Sequence, residues 1–170
     1  MRAPALFLAL AALALPQTAS AAAAPHLAEQ GFGDLARPLP LPYDGAADAH
    51  AAIAAARARA AAGGKLLLID LGGNWCPDCR ILAGTLALPD LALFVRAHFE
   101  VVTVDVGYFT KNLDIAESYG LGRRPAGVPA VLIVEPKSNR LVNKGHEVAL
   151  ADARTMRPQA IADWLAGWVR

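Results

Sequence analysis

Two cysteines stand three positions apart in the run Trp75-Cys76-Pro77-Asp78-Cys79, and the chain has no others. Sulfurs at that spacing can pass between dithiol and disulfide, and a helix start gives them a physical reason to do so. The unpaired first-turn N–H groups and the positive end of the helix dipole both stabilise a thiolate. Cys76 is then the attacking nucleophile with a lowered pKa, and Cys79, one turn on, resolves the mixed disulfide. Pro77 suits the first helical position, where its missing N–H costs nothing. Two other readings are weaker. Structural zinc needs four ligands, and His26, His50, His98 and His146 show no paired metal spacing. A merely structural disulfide would close a very small loop and contribute little chain entropy. Redox chemistry without a metal or a dissociable cofactor is the expectation.

A strand must deliver this pair to its helix, and residues 65–71 supply one: an apolar run bounded by glycine, as in a strand buried on both faces. Upstream, Asp44 or Asp48 caps a helix through residue 62, stopped by Gly63-Gly64. The cysteine run opens a helix over 77–87, and a second helical piece over 90–97 leads into a β-branched strand at 99–106. A helix near 113–119 lies between loops. Residues 128–134 read as a third strand and 140–144 as a short fourth, joined by a turn at 136–139. The last element is a helix over 157–169, with Ile161, Trp164, Leu165 and Trp168 along one stripe. Alternation first and a hairpin last predict an α/β fold: a mixed central sheet of about four strands with helices on both faces. The cysteines sit where a strand's C-terminal end meets a helix, the usual site in open α/β sheets.

Composition narrows the function classes. The 170 residues argue for one domain, and 16 basic against 15 acidic residues leave no basic excess for nucleic acid. Arg2, an apolar stretch over 3–15, Pro16 and the small residues Ala19-Ser20-Ala21 have the pattern of a secretory signal peptide over residues 1–21. A frayed helix or an uncleaved anchor is the alternative. The stretch is shorter than the roughly 20 apolar residues a spanning helix needs, so no membrane span is expected after its removal. Residues 22–45, with Pro25, Pro38, Pro40, Pro42, Gly31 and Gly33, read as a Pro/Gly-rich linker into a domain over 46–170. Export to the periplasm is the expected localisation, where a disulfide persists.

Over residues 46–170 the chain resembles the thioredoxin superfamily. The Trp-Cys-x-x-Cys run follows a strand; Asp70 lies six residues before Cys76; and Val128-Pro129, opening the third strand, matches the family's cis-proline. The resemblance implies the thioredoxin fold, a buried acid at Asp70 beneath the disulfide, and a cis bond before Pro129 that packs on the disulfide and helps bind the substrate backbone. An acid at the end of an apolar strand is costly to ionise, so its pKa should rise and it could trade a proton with Cys79. Trp75 either shapes the partner surface or packs in the core. Within the superfamily, the layout is similar to exported, periplasmic thioredoxin-like reductants such as the reductant domain of DsbD. That likeness implies protein disulfides as substrates and a protein electron donor, with a membrane thiol carrier as one candidate.

The departures from the family are informative. Pro77-Asp78 replaces the Gly-Pro of thioredoxins, and a carboxylate beside the thiols should oppose thiolate formation and make the disulfide less oxidising. The lysine that thioredoxins keep near the buried acid aligns here with Val101. The stretch between Asp105 and Pro129 is longer than in a minimal thioredoxin. Its Tyr108, Phe109, Arg123 and Arg124 either border the site and select partners or form a solvated loop. Reduction of partner disulfides is the favoured activity; oxidation or isomerisation, a non-catalytic binding module and metal delivery remain as rivals.

Overall fold

The computed structural model describes residues 22–169, so the signal peptide expected over 1–21 lies outside the described residues. The elements in chain order are α1 (Ala49–Gly63), β1 (Leu66–Gly72), α2 (Pro77–Leu86), α3 (Pro89–His98), β2 (Phe99–Asp105), α4 (Leu113–Ser118), β3 (Ala130–Glu135), β4 (Arg140–Leu141) and α5 (Pro158–Ala166). The sheet runs β2-β1-β3-β4. β1 pairs parallel with β2 and antiparallel with β3, and β4 pairs antiparallel with β3. This is the thioredoxin-like α/β arrangement, with the mixed four-stranded sheet expected from the element order.

Period-two alternation along the strands divides the core. Leu68, Phe99, Val131 and Ile133 face α2, α3 and α5, packing with Ile81, Leu82, Leu91, Phe94, Ile161 and Leu165. Leu67, Ile69, Leu71, Val102, Val104, Leu132 and Val134 face α1 and α4, where Ala56, Ala60 and Ile115 meet them. Both faces of β1 and β3 are therefore covered, which explains why their sequences are continuously apolar.

Local chemistry sets the ends of α1. The Asp48 carboxylate accepts from the Ala51 N–H at 3.0 Å, and Gly64 closes the helix at φ 64°, where a side chain would be strained. The segment preceding α1 has only a short 3₁₀ turn at Phe32–Asp34. It nonetheless buries Leu27, Leu35 and Leu39 in the same core as α2 and α3.

Two strand expectations need correction. β3 begins at Ala130, so Val128 and Pro129 lie just before it. A proline has no N–H for the ladder, and β3 is a central strand, so pairing starts after it. The fourth strand is two residues long, where five were expected. Beyond it, the buried Asn143 side chain takes over the pairing: its Oδ1 accepts from Ile133 N at 2.8 Å and its Nδ2 donates to Val131 O at 2.7 Å. One side chain thus satisfies backbone that a longer strand would have paired.

Candidate active site

β1 ends at Gly72, and the turn through Asn74 and Trp75 places Cys76 at the N-cap of α2. Both cysteines are free thiols, and both are buried, Cys76 at 3% exposure. The Cys79 N–H donates to Cys76 Sγ at 3.3 Å, so the cap position aims the helix's first N–H groups at the first sulfur. Cys76 Sγ in turn lies 3.5 Å from the Val128 carbonyl, to which it donates. The Val128–Pro129 bond is cis. Tyr43, Cys76 and Cys79 form one buried cluster, with Trp75 and Val128 packed against it.

The two thiols are electrostatically unequal. Hydrogen bonding from the Cys79 side chain is the largest influence on Cys76; despite opposing burial, and helped by the Cys79 and Asp78 N–H groups, it lowers the Cys76 thiol from 9.0 to about 7. Cys79 moves the other way: its bond to Cys76 and its burial hold it protonated well above the ordinary thiol range. An ionised, attacking sulfur beside a protonated one is the asymmetry that stepwise exchange requires.

Asp70 is buried beneath this pair, on the sheet face that packs against α2. Burial raises its carboxyl from 3.8 to about 7, against a lowering by the Tyr43 hydroxyl, which donates to Oδ2 at 2.7 Å. Oδ1 is buried, with no hydrogen-bond partner among the described residues. The residue opposite Asp70 on β2 is Thr103, not Val101, which instead pairs with Leu68. Thr103 Oγ1 is turned to the Pro42 carbonyl at 2.8 Å. The group beside the acid is therefore a phenol from outside the sheet rather than a β2 side chain.

The Asp78 carboxylate does not stand free beside the thiols. It is buried and accepts from Arg154 three times: from the backbone N–H at 2.9 Å, Nε at 3.2 Å and Nη2 at 2.6 Å. A 3₁₀ turn at Ala153–Thr155 brings that arginine to the first turn of α2. Asp78 still opposes the Cys76 thiolate, as its charge predicts, but the net shift of Cys76 is downward.

The long stretch after β2 reaches the site. Trp75 is half-buried; its Nε1 donates to Gly107 O at 2.6 Å, and its ring stacks on Tyr108 with centroids 4.9 Å apart. Phe109 meets Trp75 edge-on at 5.9 Å, and the Arg124 guanidinium sits 4.0 Å over the Phe109 ring. Tyr108 is 74% exposed, so the stack is a surface feature beside Cys76. Of the four residues singled out in that stretch, Arg123 alone stands apart, exposed, with no part in the stack.

Sequence reading missed Tyr43 and Arg154. Neither belongs to a local motif: Tyr43 is 27 positions from Asp70, and Arg154 is 76 from Asp78. The one signal was a lone tyrosine ending a proline-rich run. Among the described residues, no group of three or more His, Cys, Asp and Glu is gathered as a metal site would require.

A family described as thioredoxin-like matches residues 48–136. A solved disulphide isomerase from Xylella fastidiosa Temecula1 is similar to this chain at 36% identity, covering 76% of this chain and 97% of that one, with a TM-score of 0.69. The C-terminal domain of Neisseria meningitidis DsbD in its oxidised form is 24% identical over 56% of this chain and 79% of that one, at a TM-score of 0.43, too distant to bear on the site. No curated protein matches the chain.

Proposed function

The chain belongs to the thioredoxin-like family, and within it we propose that the protein exchanges its Cys76–Cys79 dithiol with disulfides of partner proteins in the periplasm, with reduction of the partner favoured. The observation that carries the reading is the pair's asymmetry: Cys76 at a helix N-cap with a lowered thiol, Cys79 beside it with a raised one.

The Cys76 thiolate attacks one sulfur of the partner disulfide. A Cys76–partner bond forms, and the other partner sulfur leaves as a thiolate. Cys79 then gives its proton to Asp70 and attacks Cys76 Sγ. The Cys76–Cys79 bond forms, the second partner sulfur departs, and two electrons have passed to the partner. Trp75, Val128 and Pro129 border the attacking sulfur and receive the partner backbone, with the Val128 carbonyl already in reach of Cys76. The exposed Tyr108 extends that contact surface outward from Trp75. No dissociable cofactor takes part; a second protein, such as a membrane thiol carrier, returns the electrons. The signal-like residues 1–21 support export.

A Cys76 thiol near 7 supports reduction, because strong oxidants of this fold hold their thiolate much lower, near 3.5. Isomerisation is the second reading, favoured by the name of the Xylella relative. The test begins with Cys79→Ser. That variant should accumulate covalent mixed disulfides through Cys76, whereas a pure binding module traps none. A potential near the reductant end, about −270 mV, supports reduction, and one near −120 mV contradicts it. Rescue of scrambled disulfides without net reduction marks the isomerase instead. Tight stoichiometric copper or zinc binding by the reduced protein would favour metal delivery.

A further inference from the structure

Tyr43 comes from the proline-rich segment before α1, yet it ends in the same buried cluster as the two sulfurs. Three attachments bring it there. Its N–H donates to Asn74 Oδ1 at 3.1 Å while Asn74 Nδ2 donates to its carbonyl at 2.8 Å. Thr103 holds the Pro42 carbonyl from β2. Arg80 of α2 donates to the carbonyls of Leu39 and Pro40. The segment is thus laced to both strands' ends and to the active helix. Its hydroxyl closes over Gly72, where a Cβ would fall 2.6 Å from Tyr43 Oη and 2.7 Å from Cys79 Sγ. Only glycine leaves room for both.

We infer that Tyr43 is a positioning residue for the resolving step: its hydroxyl occupies Oδ2 of Asp70 and leaves Oδ1 as the base that takes the Cys79 proton. The inference rests on the exchange activity proposed above. In balanced form, Cys79–SH and Asp70 carboxylate become Cys79 thiolate and Asp70 carboxylic acid. The thiolate then forms the Cys76–Cys79 bond as the Cys76–partner bond breaks, and the departing partner thiolate takes a proton from solvent. The titratable groups facing Asp70 are Tyr43 from the leading segment, Cys76 at the N-cap of α2 and Cys79 within that helix. Thr103 on β2 and Val131 on β3 flank it without titrating. A phenol donating to the ionised carboxylate lowers its pKa, so removing the donor must raise it.

The experiment is single-turnover reduction of a small protein disulfide, insulin, by the full reduced chain from pH 5 to 9. Infrared titration of the Asp70 carboxyl band runs in parallel and needs no turnover. Tyr43→Phe should move the ascending limb and the carboxyl titration upward by about one unit or more, as expected for one hydrogen bond to a charge. Asp70→Asn should abolish the carboxyl titration and leave only the limb set by Cys76 ionisation, and adding Tyr43→Phe to it should change nothing further. Incorporating 3-fluorotyrosine at position 43 preserves the ring while strengthening the donor, and should shift both titrations downward. A Tyr43→Phe profile superimposed on the parent, an equal loss with and without Asp70, or an unmoved fluorotyrosine profile overturns the inference. A parent protein that reduces no disulfide overturns the exchange reading instead, and the infrared arm still decides whether Tyr43 sets the Asp70 proton.

Discussion

Two carboxylates flank the cysteines, almost equally buried, and the fold treats them in opposite ways. Asp78, in the first turn of α2, is met by the whole Arg154 fork and a backbone N–H. Asp70, near the end of β1, receives one phenol and keeps one oxygen without a partner among the described residues. The Asp78 pair anchors the 3₁₀ turn at Ala153–Thr155 to the active helix. Asp70 carries an uncompensated desolvation cost that no stability argument explains, since a buried acid short of partners destabilises the fold. What it gains is a carboxyl poised near neutral pH beside a thiol that must lose a proton. Burial alone therefore does not mark the reactive acid; burial without a countercharge does.

That contrast is open to direct attack. Asp70→Asn should slow disulfide exchange at pH 7 by about 100-fold, the lower end for general acid–base groups, while Asp78→Asn stays within a few-fold of the parent. Equal losses in the two variants would erase the distinction. Arg154→Ala should cost about 2 kcal/mol in urea unfolding, because it removes the half-exposed guanidinium's hydrogen bonds from a buried carboxylate, and Asp78→Asn in the same chain should recover most of the loss. Absence of any loss would mean the pair is ornamental.

The pH dependence of stability separates the two acids again. The folded chain keeps the Asp70 proton up to about 7, whereas the unfolded chain releases it near 3.8. The folded state thus binds more protons in that window, and stability falls as pH rises. The reduced parent should lose about 2 kcal/mol relative to Asp70→Asn between pH 5 and 7. A flat difference between them would place Asp70 in contact with water. The smallest effect is on the attacking sulfur. Because the Asp78 charge raises the Cys76 thiol, Asp78→Asn should lower its pKa by a fraction of a unit, read from thiolate absorbance. A rise would reverse the sign assigned to that carboxylate.

How much of this was readable in the sequence follows from distance along the chain. The cysteine pair, its proline at the first helical position, the strand before it and Asp70 all lie within 14 residues, where spacing and periodicity speak directly. The continuous apolar runs of β1 and β3 marked them as strands covered on both faces. What was lost depended on side chains arriving from afar. Nothing near Asp78 announces Arg154, so the carboxylate read as an unopposed charge. The proline-rich segment has no periodicity to place Tyr43, and its buried Leu27, Leu35 and Leu39 are too sparse to form a pattern. β4 ended early because the Asn143 side chain imitates a strand, which no propensity encodes. The aromatic stack of Trp75, Tyr108 and Phe109 needed the path of the loop, with Phe109 at φ 60°, before its members could be seen as neighbours.

The central claim is that Cys76 ionises near neutrality while Cys79 stays protonated. Thiolate absorbance of the reduced chain, followed from pH 5 to 10 alongside iodoacetamide labelling resolved by peptide mass, reads it directly. The account predicts a single thiolate forming with a midpoint at about 7, lost in Cys76→Ser, and label confined to Cys76 at pH 7. A midpoint near 9, or label shared evenly between the two sulfurs, would contradict it.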